Sequence, residues 1–160
     1  MSVEAKIKQL GLVLPAAIKL PAGVVVPISL VKVRGNMAHV SGHLAQNPDG
    51  SLMEPFGRVG AEVTLEQGIE AARVAGLSLL GSLQRALGDL DRIETWISAF
   101  GMVNGAPDFY LFPVVINGFS NLIIELFGPE VGSHARSAIG VGGLPFNSPV
   151  EIEAVVELKP

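Results

Sequence analysis

The chain has 160 residues, 49% of them hydrophobic and 16% charged, with a formal net charge of −4 and no cysteine. That length reads as one domain, residues 1–160, able to bury about 70% of its unfolded surface and so to fold without staples. The missing thiols exclude disulfides, thiolate metal sites and thiol catalysis and fit a reducing, cytoplasmic setting, while 11 scattered Lys and Arg offer no basic stripe to a phosphate backbone, so nucleic acid is not an expected partner.

In chain order, Ser2 is placed to cap a short helix whose Val3, Ile7 and Leu10 share a face, and residues 1–20 read as an N-terminal helical extension. Glu4, ahead of Lys6 and Lys8, argues against a secretory leader. Val24 to Val33, rich in valine and isoleucine, reads as a strand, and Gly35-Asn36 turns it into a second one, Met37 to Val40. Asn47-Pro48-Asp49-Gly50 is a turn in which proline fixes one φ and glycine supplies a positive one, and an irregular stretch follows to Gly60.

Thr64 and Gln67 have capping-box spacing at the head of the strongest helix. Its Ile69, Ala72, Gly76, Leu79, Leu80, Leu83 and Leu87 recur three and four apart, and Gly88 ends it. A strand follows from Arg92 to about Met102, with Ile93, Thr95, Ile97 and Ala99 read on one side and Trp96, Ser98 and Phe100 on the other. Trp96 reads as core or interface. A second long helix spans about Val114 to Phe127, with Pro113 in its first turn and Gly128-Pro129 past its end. Two closing strands, Ser137 to Val141 and Val150 to Leu158, are joined by the loop from Gly142 to Pro149. Strands on both sides of two long helices, with neighbours in hairpins, make the fold α+β rather than a doubly wound parallel sheet.

Every apolar run is broken by Pro, Gly or a charge short of the roughly 20 residues of a spanning helix, so no membrane is expected. A mean hydropathy of +0.48 then points to oligomerisation.

Charge inside the closing strands is where chemistry is expected. Val150, Ile152, Ala154 and Val156 alternate with Glu151, Glu153 and Glu157, so the carboxylates share the face away from the core. In the preceding strand Arg136 shares a face with Ala138, Gly140 and Gly142, small residues that leave room for a ligand beside a guanidinium fork suited to a carboxylate. The plainer reading is a cross-strand ion pair of Arg136 with Glu151 or Glu153.

Ser41-Gly42 after the hairpin, Gly50 in the next turn, the helix after Thr64, Asn117, Ala135-Arg136-Ser137, Leu144-Pro145 and Val150-Glu151-Ile152-Glu153-Ala154 follow one another in an order and spacing that resembles the RidA (YjgF) family. The resemblance runs from about Val24 to the C-terminus. It implies a chorismate-mutase-like α+β fold, a mixed sheet with two long helices on one face, assembled as a homotrimer with clefts between subunits for small carboxylates. It also implies hydrolytic deamination of reactive enamines or imines to a carbonyl compound and ammonia, without a cofactor. By position, Arg136 would clamp the substrate carboxylate and Glu151 would position or activate water. Ser41 and the Gly42 backbone would line the cleft, with Asn117 and backbone groups near Ala138 completing it.

Three positions depart from the family pattern. Ile28 stands where imine deaminases of the family carry a tyrosine, His43 where glutamine follows Ser-Gly, and His134 where proline precedes Ala-Arg. With the N-terminal extension and added residues around Phe56 to Ala61, the chain resembles a longer subgroup, of the endoribonuclease L-PSP type. Ile28 and His43 are counted with the substrate-binding residues. His43 and His134 read either as a second acid or base or as hydrogen-bond donors at a subunit interface. His39 and His43 do not share a helical face, so no metal site is read. Three functions stay open: the deaminase, a trimeric module that binds a small carboxylate without turnover, and a ribonuclease, against which the acidic balance argues.

Overall fold

The computed structural model describes residues 1–160. Three helices, α1 (Val3–Gln9), α2 (Leu65–Leu87) and α3 (Phe112–Gly132), accompany five strands, β1 (Val31–Arg34), β2 (Met37–His43), β3 (Ile93–Asn104), β4 (Ala135–Val141) and β5 (Val150–Leu158). The strands form one sheet in the order β1-β2-β5-β3-β4. All neighbours are antiparallel except β3 and β4, which run parallel because α3 crosses over between them.

Local chemistry explains the element ends. Ser2 Oγ accepts from the Ala5 N–H at the start of α1. Thr64 and Gln67 make the reciprocal capping box of α2, and Gly88 closes that helix in the left-handed region. Gly35, with φ of 61°, closes the tight β1–β2 hairpin, where Arg34 pairs with Met37. α3 outlasts its expected end by one turn, interrupted at Gly128, whose φ of 81° breaks the helix before Pro129.

α2 and α3 cover one face of the sheet. Ile152, Ala154 and Val156 of β5 and Trp96, Ala99 and Val103 of β3 meet the leucines of α2 and Phe119, Leu122 and Ile123 of α3 in one core. α3 is long and apolar enough by composition to cross a membrane, yet its apolar stripe is buried against α2 and the sheet. The other sheet face is bare.

Four expectations change. Val24 to Ile28 is not strand, and these side chains are 40–85% exposed where β1 was expected to start. β2, the only neighbour, pairs with β1 through Val40 and then hands its next groups to Leu30 and Ser29, so nothing is left for the valines to pair with. β3 does not alternate simply. Irregularities between Ile93 and Thr95 and between Trp96 and Ser98 put Trp96 on the helix side with Ala99, leaving Ile97 exposed. β4 and β5, joined by a short loop, are not neighbours, because β3 lies between them. The N-terminal extension is helical only to Gln9; beyond it Ala16 and Lys19 bond to Pro48 and Gly50 as an extended strap.

Candidate functional site

Arg136 sits on the edge strand β4 opposite Ala99, so its side chain shares the helix-covered side. There α3 receives it. Arg136 Nη1 donates to Asn117 Oδ1 at 2.9 Å and to Ser120 Oγ at 3.1 Å, and Nη2 donates to the Pro113 carbonyl at 3.3 Å. Positions 113, 117 and 120 are four and three apart and so stack on one edge of the helix. Of the guanidinium's five N–H groups, Nε–H and one on Nη2 keep no partner in the chain. Partial burial lowers the arginine's pKa from its ordinary value.

The small residues beyond Arg136 open space only at the far end of the strand, where Gly142 has no close neighbour and, with Gly140, borders a second cavity of about 360 Å3. A side chain at Gly140 would strike the Phe112 ring of α3, and Ala138 packs against the core. The backbone of β4 stays accessible as the outer edge of the sheet.

Glu151 lies on the bare face, across from Met102 of β3. Its carboxylate rests on Gly42, where a β-carbon would come within 2.8 Å of Glu151 Cδ. Burial raises the Glu151 pKa above the ordinary carboxylate value, and the neighbouring Glu153 charge raises it further. Ser41 is beside it, its Oγ donating to the Ser29 carbonyl at 2.8 Å. That bond holds Ile28, 58% exposed, next to the same end of the sheet.

Ser41 and Gly42 lie in a bulge between Val40 and His43, where β2 carries one residue more than β5. The bulge turns His43 to the helix side, which corrects its assignment as a ligand contact. The ring is 4% exposed, with Nδ1 2.6 Å from the Ser41 carbonyl and Nε2 2.8 Å from Ser82 Oγ of α2. Burial lowers its pKa.

The cross-strand ion pair of Arg136 with a glutamate is absent. Arg136 aligns through Ala99 with Ala154, three residues from Glu151 and two strands away, and the two side chains leave opposite faces of the sheet. Strand spacing and rise put the two α-carbons about 14 Å apart. Arg136 and Asn117 are therefore brought together, Ser41, Gly42 and Glu151 form a second group, and Ile28 is tied to that group only through the Ser41 bond to its neighbour Ser29.

Sequence reading missed Ser120 and a cavity on the sheet. The cavity, about 550 Å3, is a trough on the bare face lined by Lys32, His39, Ser41, Phe100, Ser137 and Glu153, with Arg136 at its border. Ser120 is three residues past Asn117, and that spacing was the available signal.

A mixed sheet covered on one side, an arginine locked to the crossover helix and a carboxylate on the bare side define an α+β protein of the YjgF type. The chain belongs to the family described as "YjgF/chorismate mutase-like, putative endoribonuclease", also known as RidA, whose pattern matches residues 4–158. It is 43% identical over 157 residues to protein TCP17 of Trypanosoma cruzi, spanning 98% of this chain and 94% of that one. Protein Atu1372 of Agrobacterium tumefaciens, of unknown function, has a TM-score of 0.85 at 38% identity, over 98% of this chain and 92% of that one. E. coli TdcF, solved with bound serine, shares the fold with a TM-score of 0.58 at 18% identity, over 90% of this chain and 99% of that one.

Proposed function

We propose that the chain hydrolyses a reactive imine or enamine bearing a carboxylate to a carbonyl compound and ammonia, in clefts between the subunits of a homotrimer. The observation that carries the reading is the pair of half-sites. Arg136, held by three acceptors of α3, keeps two N–H groups for a carboxylate, and Glu151, on the opposite sheet face, has a raised pKa. One small ligand reaches both only if Arg136 comes from one copy and Glu151 from the next. The bound serine of TdcF is a small carboxylate of the same class.

The chemistry follows from the two ends. The bidentate charge-assisted clamp orients the substrate, and the Glu151 carboxylate, its basicity raised by burial and by Glu153, takes a proton from water as it attacks the C=N carbon. The carboxyl group so formed gives its proton to nitrogen, leaving a carbinolamine; Glu151 then takes the hydroxyl proton and passes it to the same nitrogen as the C=O bond forms, and the C–N bond breaks to release ammonia. Ser41, Asn117 and the Ala138 backbone line the cleft. Ile28, which carries no proton to give, favours one second reading, a trimer that binds the carboxylate without turnover.

An amino acid oxidase supplying imines from a panel of amino acids, with semicarbazide as the trap, tests the reaction. Wild type should divert imine from the trap, while Arg136→Ala and Glu151→Gln should not. A wild type that diverts nothing but binds a small carboxylate would establish the second reading. Subunit exchange tests the composite cleft: Arg136→Ala mixed with Glu151→Gln at equal amounts should regain about a quarter of wild-type activity, because that fraction of interfaces joins two intact halves. No recovery after verified exchange would refute the shared site.

A further inference from the structure

Ser120 and His134 touch the Arg136 network but have no part in the reaction proposed above. His134 Nδ1 lies 2.7 Å from the Gly132 carbonyl oxygen, and Nε2 lies 3.0 Å from Ser120 Oγ. A carbonyl only accepts, so Nδ1 carries the proton. Nε2 of the neutral ring is then an acceptor, and the Ser120 hydroxyl must donate to it. This fixes the hydroxyl rotor, which leaves an oxygen lone pair for Arg136 Nη1 at 3.1 Å. The ring packs against Trp96 and Phe119, and its burial lowers the His134 pKa, with the Arg136 charge acting in the same direction.

The same sequence of groups recurs elsewhere. Arg85 donates to Ser82, whose hydroxyl meets His43, whose other nitrogen meets the carbonyl two residues back. There the steadied arginine holds the Pro15 carbonyl at 2.9 Å. Twice, then, a serine rotor set by a neutral histidine fixes a guanidinium.

We infer that Ser120 and His134 are positioning residues that lock the Arg136 guanidinium in the orientation presenting its two unpartnered N–H groups to a ligand carboxylate. The inference rests on Arg136 being that clamp. Asn117 and Pro113 alone leave the fork free to rock about two contacts, and a clamp that rocks binds its ligand less tightly.

Wild type, Ser120→Ala, Ser120→Thr and His134→Ala are compared in two measurements: KM and kcat on the imine made from alanine, and calorimetric binding of pyruvate. Ser120→Ala and His134→Ala should raise KM and weaken pyruvate binding about five- to twentyfold, as losing one charge-assisted hydrogen bond would do. Their kcat should stay within about twofold of wild type, and Ser120→Thr, which keeps the hydroxyl, should restore both readings. Unchanged pyruvate affinity in Ser120→Ala overturns the positioning role, and so does a loss that threonine fails to rescue. Failure of the reaction is separable. A wild type that binds pyruvate but hydrolyses no imine sinks the hydrolase while the binding series still decides on Ser120, and a wild type that does neither overturns both.

Discussion

At Gly42 the backbone φ is ordinary, so the need for glycine is one of space: any side chain would meet the Glu151 carboxylate. That carboxylate is the end of a flexible chain and can swing away at little cost. Gly42→Ala should therefore leave the unfolding midpoint nearly unchanged while lowering kcat/KM roughly 10- to 100-fold, the usual result of moving a reacting group by about an ångström. Equal activity in the variant would mean that Glu151 works from another position or not at all. Glu153 offers a second test. Its charge helps to raise the Glu151 pKa, so Glu153→Gln should shift the acidic limb of the kcat/KM profile to lower pH; a limb that stays put would assign it to another group. As candidates, Arg136 and the β5 glutamates were legible in the sequence because charges stand out in apolar strands, and the family resemblance singled out Glu151 among them. Ser120 was missed, since its one signal, the three-residue spacing from Asn117, gains meaning only from what faces it.

Among the elements, α2 and α3 are in tight contact where Gly118 faces α2. A β-carbon there would meet the Ile69 carbonyl group and come within 3.2 Å of the Arg73 nitrogen. Both are backbone atoms and cannot step aside, so Gly118→Ala should destabilise the fold by about 2–3 kcal/mol, read by denaturant unfolding. A neutral result would show that the helices separate easily. The helices were legible from their stripes and caps, Thr64 and Gly88 above all. Strand faces were less so. Bulges in β2 and β3 each insert one residue, and one residue inverts every side chain after it, which is how His43 and Trp96 came to lie on the helix side. The valines from Val24 to Val26 carry strand propensity without a partner strand, and propensity alone does not make a ladder.

Stability of the whole molecule should depend on pH through its interior histidines. Burial lowers the pKa of His43 and His134, so below about pH 6.5 the unfolded chain binds protons that the folded one refuses. Stability should be level above neutrality and fall as pH drops through that range, by at most about 1.4 kcal/mol per pH unit for each histidine, and by less for half-exposed His134. Glu151 acts in the opposite sense, since its raised pKa makes the folded state hold a proton longer than the unfolded one. Urea unfolding at about pH 7.5 and about pH 5.5 on wild type and His43→Gln checks this, and an unchanged slope in the variant would clear His43 of the effect. Sheet order was the part hidden from sequence. Which strands become neighbours depends on α3 carrying β4 to the far side of β3, a long-range choice that no local pattern records. Trp96 lies at the centre of that arrangement, its ring 5.8 Å from Phe119 and 6.4 Å from His134. As the chain's only tryptophan, it makes emission excited beyond the absorption of Tyr110 a single-source signal. Loss of the core on unfolding can be followed by that light with no label attached, and a carboxylate bound at Arg136, as proposed, should alter it through Ser120 and His134.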